Sequence, residues 1–227
     1  MSTRTLFIHI PKSAGTSISA SCPSFPVSNR HISKKYAQLE TMIPNKMEDV
    51  EPKASVFFHK HLPLSYLEKE KISRYDRKFA VVRNPWERIV SLYHHADSIY
   101  ARTHKSWYGQ NKISWEEFLS RMDSFRMTPD YYWKHPYDQW AMQSDWISIG
   151  NKINCDVLRY ENIQEDLNDY FEKDIKLEKR NVGVYNKNYI EYYTEKQKQK
   201  VADWFRMDID YWGFSFESGA TRNYWAQ

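Results

Sequence analysis

Thr3-Arg4-Thr5-Leu6-Phe7-Ile8-His9-Ile10-Pro11-Lys12-Ser13-Ala14-Gly15-Thr16-Ser17 is the most telling stretch of this chain. Residues 3–10 are an apolar run rich in β-formers, and Pro11 closes it because a proline offers no N–H to a central ladder. This predicts a buried strand ending at Pro11. Small and hydroxylated residues follow as far as Ala20, with Thr16 or Ser17 able to start a helix. Strand, tight loop and helix start make an anion cradle, because successive backbone N–H groups and the helix dipole point at one spot. Lys12 adds a full charge there. The nucleotide-triphosphatase form of the device, GxxxxGK[ST], places lysine late, with a hydroxyl after it for magnesium. Here the lysine comes first.

Further strands are predicted at 54–58, running into His59-Lys60-His61, at 78–82, running into Arg83-Asn84-Pro85, and at 155–160. After Pro85, which suits a first helical position, Trp86, Ile89, Val90 and Tyr93 recur at helical spacing. Helices are expected near 33–42, 114–122, 136–147, 163–172 and 194–206, with a short helix or turn over 207–216. Strands alternating with helices favour an α/β fold with a mostly parallel sheet. There is no internal repeat and no linker.

Composition excludes several classes. Aromatic residues are 16% of the 227 and hydrophobic residues 41%, enough for a sizeable core and unlike a disordered chain. Two cysteines, Cys22 and Cys155, make neither a disulfide framework nor a CxxC knuckle and suggest a reducing compartment. No apolar run approaches the ~20 residues of a membrane span, and no signal peptide is recognisable, so a soluble cytoplasmic protein is expected. Net charge is +4 without a basic tail, which argues against a nucleic-acid partner.

His59-Lys60-His61 puts two imidazoles on one face of a strand, which would also suit a metal. A third ligand is then needed, and although His9, His94 and His95 exist, no spacing demands one. No metal is expected.

The order Pro11-Lys12-Ser13-Ala14-Gly15-Thr16-Ser17, together with Val82-Arg83-Asn84-Pro85-Trp86-Glu87-Arg88-Ile89-Val90-Ser91, resembles the sulfotransferases that use 3′-phosphoadenosine 5′-phosphosulfate (PAPS). The match is closest to the branch containing the heparan-sulfate 2-O-sulfotransferases and their bacterial relatives. The resemblance implies one sulfotransferase domain over 1–227, with a P-loop-like central parallel β-sheet flanked by helices. It also implies transfer of the sulfuryl group from PAPS to an acceptor hydroxyl on a carbohydrate or other small molecule, leaving 3′-phosphoadenosine 5′-phosphate (PAP).

Carried onto this chain, the resemblance gives Lys12, Ser13, Ala14, Gly15, Thr16 and Ser17 to the 5′-phosphosulfate, with Lys12 also catalytic. Arg83 and Ser91, eight positions on, fall to the 3′-phosphate. A guanidinium and a hydroxyl two helical turns later suit that anion. His61 becomes the general base, a role that an imidazole with a pKa near ~6.5 can fill. His59 and Lys60 fall beside it on the acceptor side, and Lys60 stands where relatives have glycine. Arg180 and Asn181 resemble a loop that closes over the nucleotide, although Gly183 replaces the serine of relatives. Gln143 and Asp145 lie in a segment resembling an acceptor-side helix. Asp156-Val157-Leu158-Arg159-Tyr160-Glu161 resembles a central strand ending in an acidic residue. The aromatic stretch 100–145 suits sugar stacking as well as core. A P-loop kinase-like phosphotransferase and a catalytically silent nucleotide-binding protein are the alternatives.

Overall fold

The computed structural model describes residues 5–21, 56–60, 63–66, 73, 75–103, 113–124, 140–178 and 188–224. Four strands form one parallel sheet: β1 (Thr5–His9), β2 (Val56–Lys60), β3 (Arg77–Val82) and, after a two-stranded hairpin of β4 (Ser148–Ile149) and β5 (Lys152–Ile153), β6 (Asp156–Arg159). Their order is β2-β1-β3-β6. Register runs Phe7 beside Phe58 and Phe79, and Phe79 beside Asp156.

The alternation of side chains in the strands explains why β1 reads as an unbroken apolar run. Leu6, Ile8, Ala80, Val82 and Val157 face one core, while Phe7, Phe79, Val81 and Leu158 face another, so both sides of the sheet are covered. On the second side lie Ile18 of α1 (Gly15–Ser21) and, further along the chain, Leu167 and Tyr170. The larger first side takes α2 (Pro85–Thr103), α3 (Trp115–Ser120) and α4 (Gln143–Ile147), with Ile89, Phe118 and Trp146 buried. The helix carrying Leu167 and Tyr170 is α5 (Ile163–Phe171). Then α6 (Glu195–Trp204) and α7 (Arg206–Trp212) add Val201 and Trp212 to the first core.

Helix boundaries follow local chemistry. Asn84 Oδ1 accepts from the N–H groups of Trp86 (3.0 Å) and Glu87 (3.3 Å), capping α2 ahead of Pro85. Thr194 and Gln197 form a capping box at the start of α6. Gly213, at φ 66°, ends α7 in the left-handed conformation, and a Cβ there would lie 2.2 Å from Thr221 Oγ1.

The four predicted strands and most helices stand where the sequence puts them. One helix does not: of the expected 136–147, residues 140–142 are not helical and α4 begins only at Gln143. The cause is tertiary, because Asp208 of α7 accepts the N–H groups of Gln143 (2.7 Å) and Ser144 (2.9 Å) and so starts the helix there. Residues 136–139 and the helix expected near 33–42 lie outside the described residues. No described helix is long and apolar enough to cross a membrane.

Candidate functional site

The second strand pairs on one side of β1 and the third on the other, which places a topological switch point between β1 and β3. In an open parallel sheet the crevice outside the strand ends at such a point is where ligands bind. The segments leaving those two ends are Ile10-Pro11-Lys12 and Arg83-Asn84.

They meet. Arg83 Nη1 donates to the Lys12 carbonyl at 3.0 Å, Nη2 pairs with Glu87 Oε1 at 2.7 Å, and the guanidinium lies 4.2 Å from the centre of the Tyr160 ring. Burial, and then the Arg83 charge, lower the Lys12 pKa from 10.5 to about 8. The loop is bent unusually: Lys12 (φ 68°) and Ala14 (φ 58°) are both left-handed without being glycine, a conformation that costs ~1–2 kcal/mol per residue. Gly15 allows a close approach, since a Cβ there would lie 2.0 Å from Nε2 of the buried His9 ring.

Of the remaining loop residues, Ser13 is buried with its Oγ 3.5 Å from Gln143 Oε1, while Thr16 is exposed and Ser17 buried in the first turn of α1. Ser91 is buried on α2. His59 and Lys60 end β2, in register with Ile8 and His9 of β1. His61, Arg180 and Asn181 lie outside the described residues.

The polar positions assigned to the acceptor helix are not alike. Gln143 is fully buried and both ends of its amide bind the Arg83 main chain, from N–H to Oε1 at 2.8 Å and from Nε2 to the carbonyl at 2.9 Å. Asp145 is half-buried, and burial, followed by the Asp208 charge, raises its pKa. Glu161 accepts from the N–H of Asn84 (2.8 Å) and of Ala220 (3.4 Å), tying the α2 start to the C-terminal segment, where Asn84 Nδ2 also reaches the Ser215 and Ser218 carbonyls at 2.8 Å each. Trp115, Phe118 and Trp140 pack against one another and the core, whereas the other aromatics of 104–112 and 125–139 lie outside the described residues.

His94 on α2 and Cys155 lie apart from these contacts. His94 Nε2 contacts Tyr192 Oη at 2.8 Å, and burial raises the pKa of the Cys155 thiol. Among the described residues no group of three or more His, Cys, Asp and Glu is placed to hold a metal.

Sequence reading passed over Glu87, Tyr160 and Asp208, which hold Arg83 and Gln143 in place. Glu87 was the one open to detection, as an i,i+4 partner of Arg83 on a helix that Pro85 announces.

Residues 2–215 match the Sulfotransferase family. The chain belongs to that family. The chain is similar to a sulfotransferase from Alicyclobacillus acidocaldarius known from its crystal structure, with 12% identity, a TM-score of 0.47, and coverage of 92% of this chain and 93% of that one. No curated protein matches the chain. Membership supports a sulfuryl-transfer function. The donor set at the switch point is an ammonium, a guanidinium, loop amides and hydroxyls, which suits a phosphorylated anion.

Proposed function

We propose that this sulfotransferase, acting as one domain over 1–227, moves the sulfuryl group of PAPS to a hydroxyl of a carbohydrate acceptor. The observation that carries this is the convergence of Lys12, on a strained loop after β1, with Arg83, at the end of β3. The lysine-first loop supports the donor, and the resemblance of the motifs to those of the heparan-sulfate 2-O branch supports the acceptor class.

When bound, the nucleotide supplies the sulfuryl group and keeps the electron pair of the broken S–O bond. Lys12, Ser13 and the Ala14–Ser17 amides and hydroxyls hold the 5′-phosphosulfate, Arg83 and Ser91 hold the 3′-phosphate, and Arg180 with Asn181 closes over the nucleotide. His61 accepts the acceptor's hydroxyl proton as the new S–O bond forms. Lys12 neutralises charge on the departing oxygen; a pKa of about 8 keeps it cationic at neutral pH. His59, Lys60 and Asp145 are assigned to acceptor binding. Positioning and electrostatics carry most of the rate, as in phosphoryl transfer, in the cytoplasm and with no metal.

The test is ³⁵S transfer from labelled PAPS over a panel of glycan, lipid and small-molecule acceptors, with His61→Ala alongside. Label is expected on glycans, with turnover reduced by ~10²-fold or more in the variant and nucleotide affinity unchanged. Transfer that is undiminished in His61→Ala removes the base, and label confined to non-glycan acceptors removes the carbohydrate. A protein that binds PAP but transfers no label is the silent alternative.

A further inference from the structure

Arg83 is the first residue past β3, whose pairing with β6 ends at Val82 beside Arg159. Its peptide groups are nevertheless held on both sides, because the Gln143 amide accepts from its N–H and donates to its carbonyl. A carboxamide bound in this two-point way does for one residue what a neighbouring strand does along a ladder, so it keeps the backbone extended where the sheet stops. Gln143 is itself fixed. Its N–H and that of Ser144 go to the two carboxylate oxygens of the fully buried Asp208, and Arg88 Nη2 donates to the Ala141 carbonyl at 2.8 Å. At the other end of Arg83, the guanidinium is set by Glu87, the Tyr160 ring and the Lys12 carbonyl. Buried hydrogen bonds thus run without a break from α7 through α4 to the residue assigned to the 3′-phosphate.

We infer that Gln143, anchored by Asp208, is a positioning residue for Arg83 and so governs recognition of the nucleotide's 3′-phosphate, not of the acceptor. This rests on the reading of Arg83 as a 3′-phosphate ligand given above. Gln143→Glu keeps the shape and one acceptor but sets a carboxylate oxygen against the Arg83 carbonyl. Gln143→Met keeps the length and removes both bonds.

The test is calorimetry of PAP and of adenosine 5′-phosphate, which differ by the 3′-phosphate, on wild type and both variants. PAP affinity is expected to fall by ~10-fold or more and that of the 5′-phosphate by less than ~3-fold, as for a broken charge-assisted contact. Adding Arg83→Ala to Gln143→Met should cost less than ~3-fold more, because both act through one contact. Equal losses for the two nucleotides, or additive losses in the double variant, overturn the inference and leave Gln143 a stabilising residue only. If both Gln143 variants fail to fold, Asp208→Asn is read by the same ratio. Should wild type bind the two nucleotides equally, the Arg83 assignment falls and the inference with it. A wild type that discriminates beside a variant with an unchanged ratio overturns the inference alone.

Discussion

The lowered pKa of Lys12 makes nucleotide affinity depend on pH in a range where an ordinary lysine would be silent. With the ammonium titrating at about 8 instead of 10.5, its charged fraction falls from ~90% at pH 7 to ~10% at pH 9. If only the charged form holds the 5′-phosphate, PAP affinity drops ~10-fold across that range. A lysine at 10.5 would change it by less than ~1.1-fold. The ligand adds no slope of its own, since phosphate's last proton leaves near pH ~6. Bound phosphate restores the charge, so binding at pH 8 takes up ~0.5 proton, measurable by calorimetry in buffers of different ionisation enthalpy. Lys12→Arg, whose guanidinium does not titrate here, should bind with a flat profile and no proton uptake. In the free protein the sign also follows: the unfolded chain binds more protons between about 8 and 10.5, so this group makes stability rise with pH in that window. A wild-type profile flat from pH 7 to 9, or an equal slope in Lys12→Arg, refutes the reasoning.

Gly15→Ala drives a methyl into the His9 ring, which is buried and not the end of a flexible chain. The loop must shift, and PAP affinity should fall by ~10-fold or more by calorimetry, together with Tm. Asn84→Ala removes the α2 cap and leaves the Ser215 and Ser218 carbonyls without their amide donor. Urea denaturation should show a loss of ~2–3 kcal/mol; a loss below ~1 kcal/mol would mean that water replaces those bonds.

How much was legible depends on how far each interaction reaches along the chain. The strands showed because a sheet covered on both faces needs runs such as Leu6-Phe7-Ile8 and Phe79-Ala80-Val81-Val82, and each such run is local. The helix after Pro85 showed for the same reason, since its cap Asn84 is adjacent. The start of α4 did not, because the group that sets it, Asp208, lies 65 residues from Gln143. The partner of Gln143 stayed hidden likewise: it is a main chain 60 residues earlier, and a backbone partner leaves no trace in side-chain type. The full burial of Gln143 was hidden too, because exposed and buried polar residues look alike in a string of letters. The lysine-first loop was legible as a motif, but its left-handed Lys12 and Ala14 were not, since neither is the glycine that such φ values usually announce.

Calorimetric titration of the wild-type protein with PAP in the presence of EDTA puts the central claim at risk most directly. The lysine-first loop joined to Arg83 predicts binding of one nucleotide per chain, unchanged on adding magnesium and much tighter than for adenosine 5′-phosphate. Absence of binding, or binding that appears only with magnesium, would contradict it.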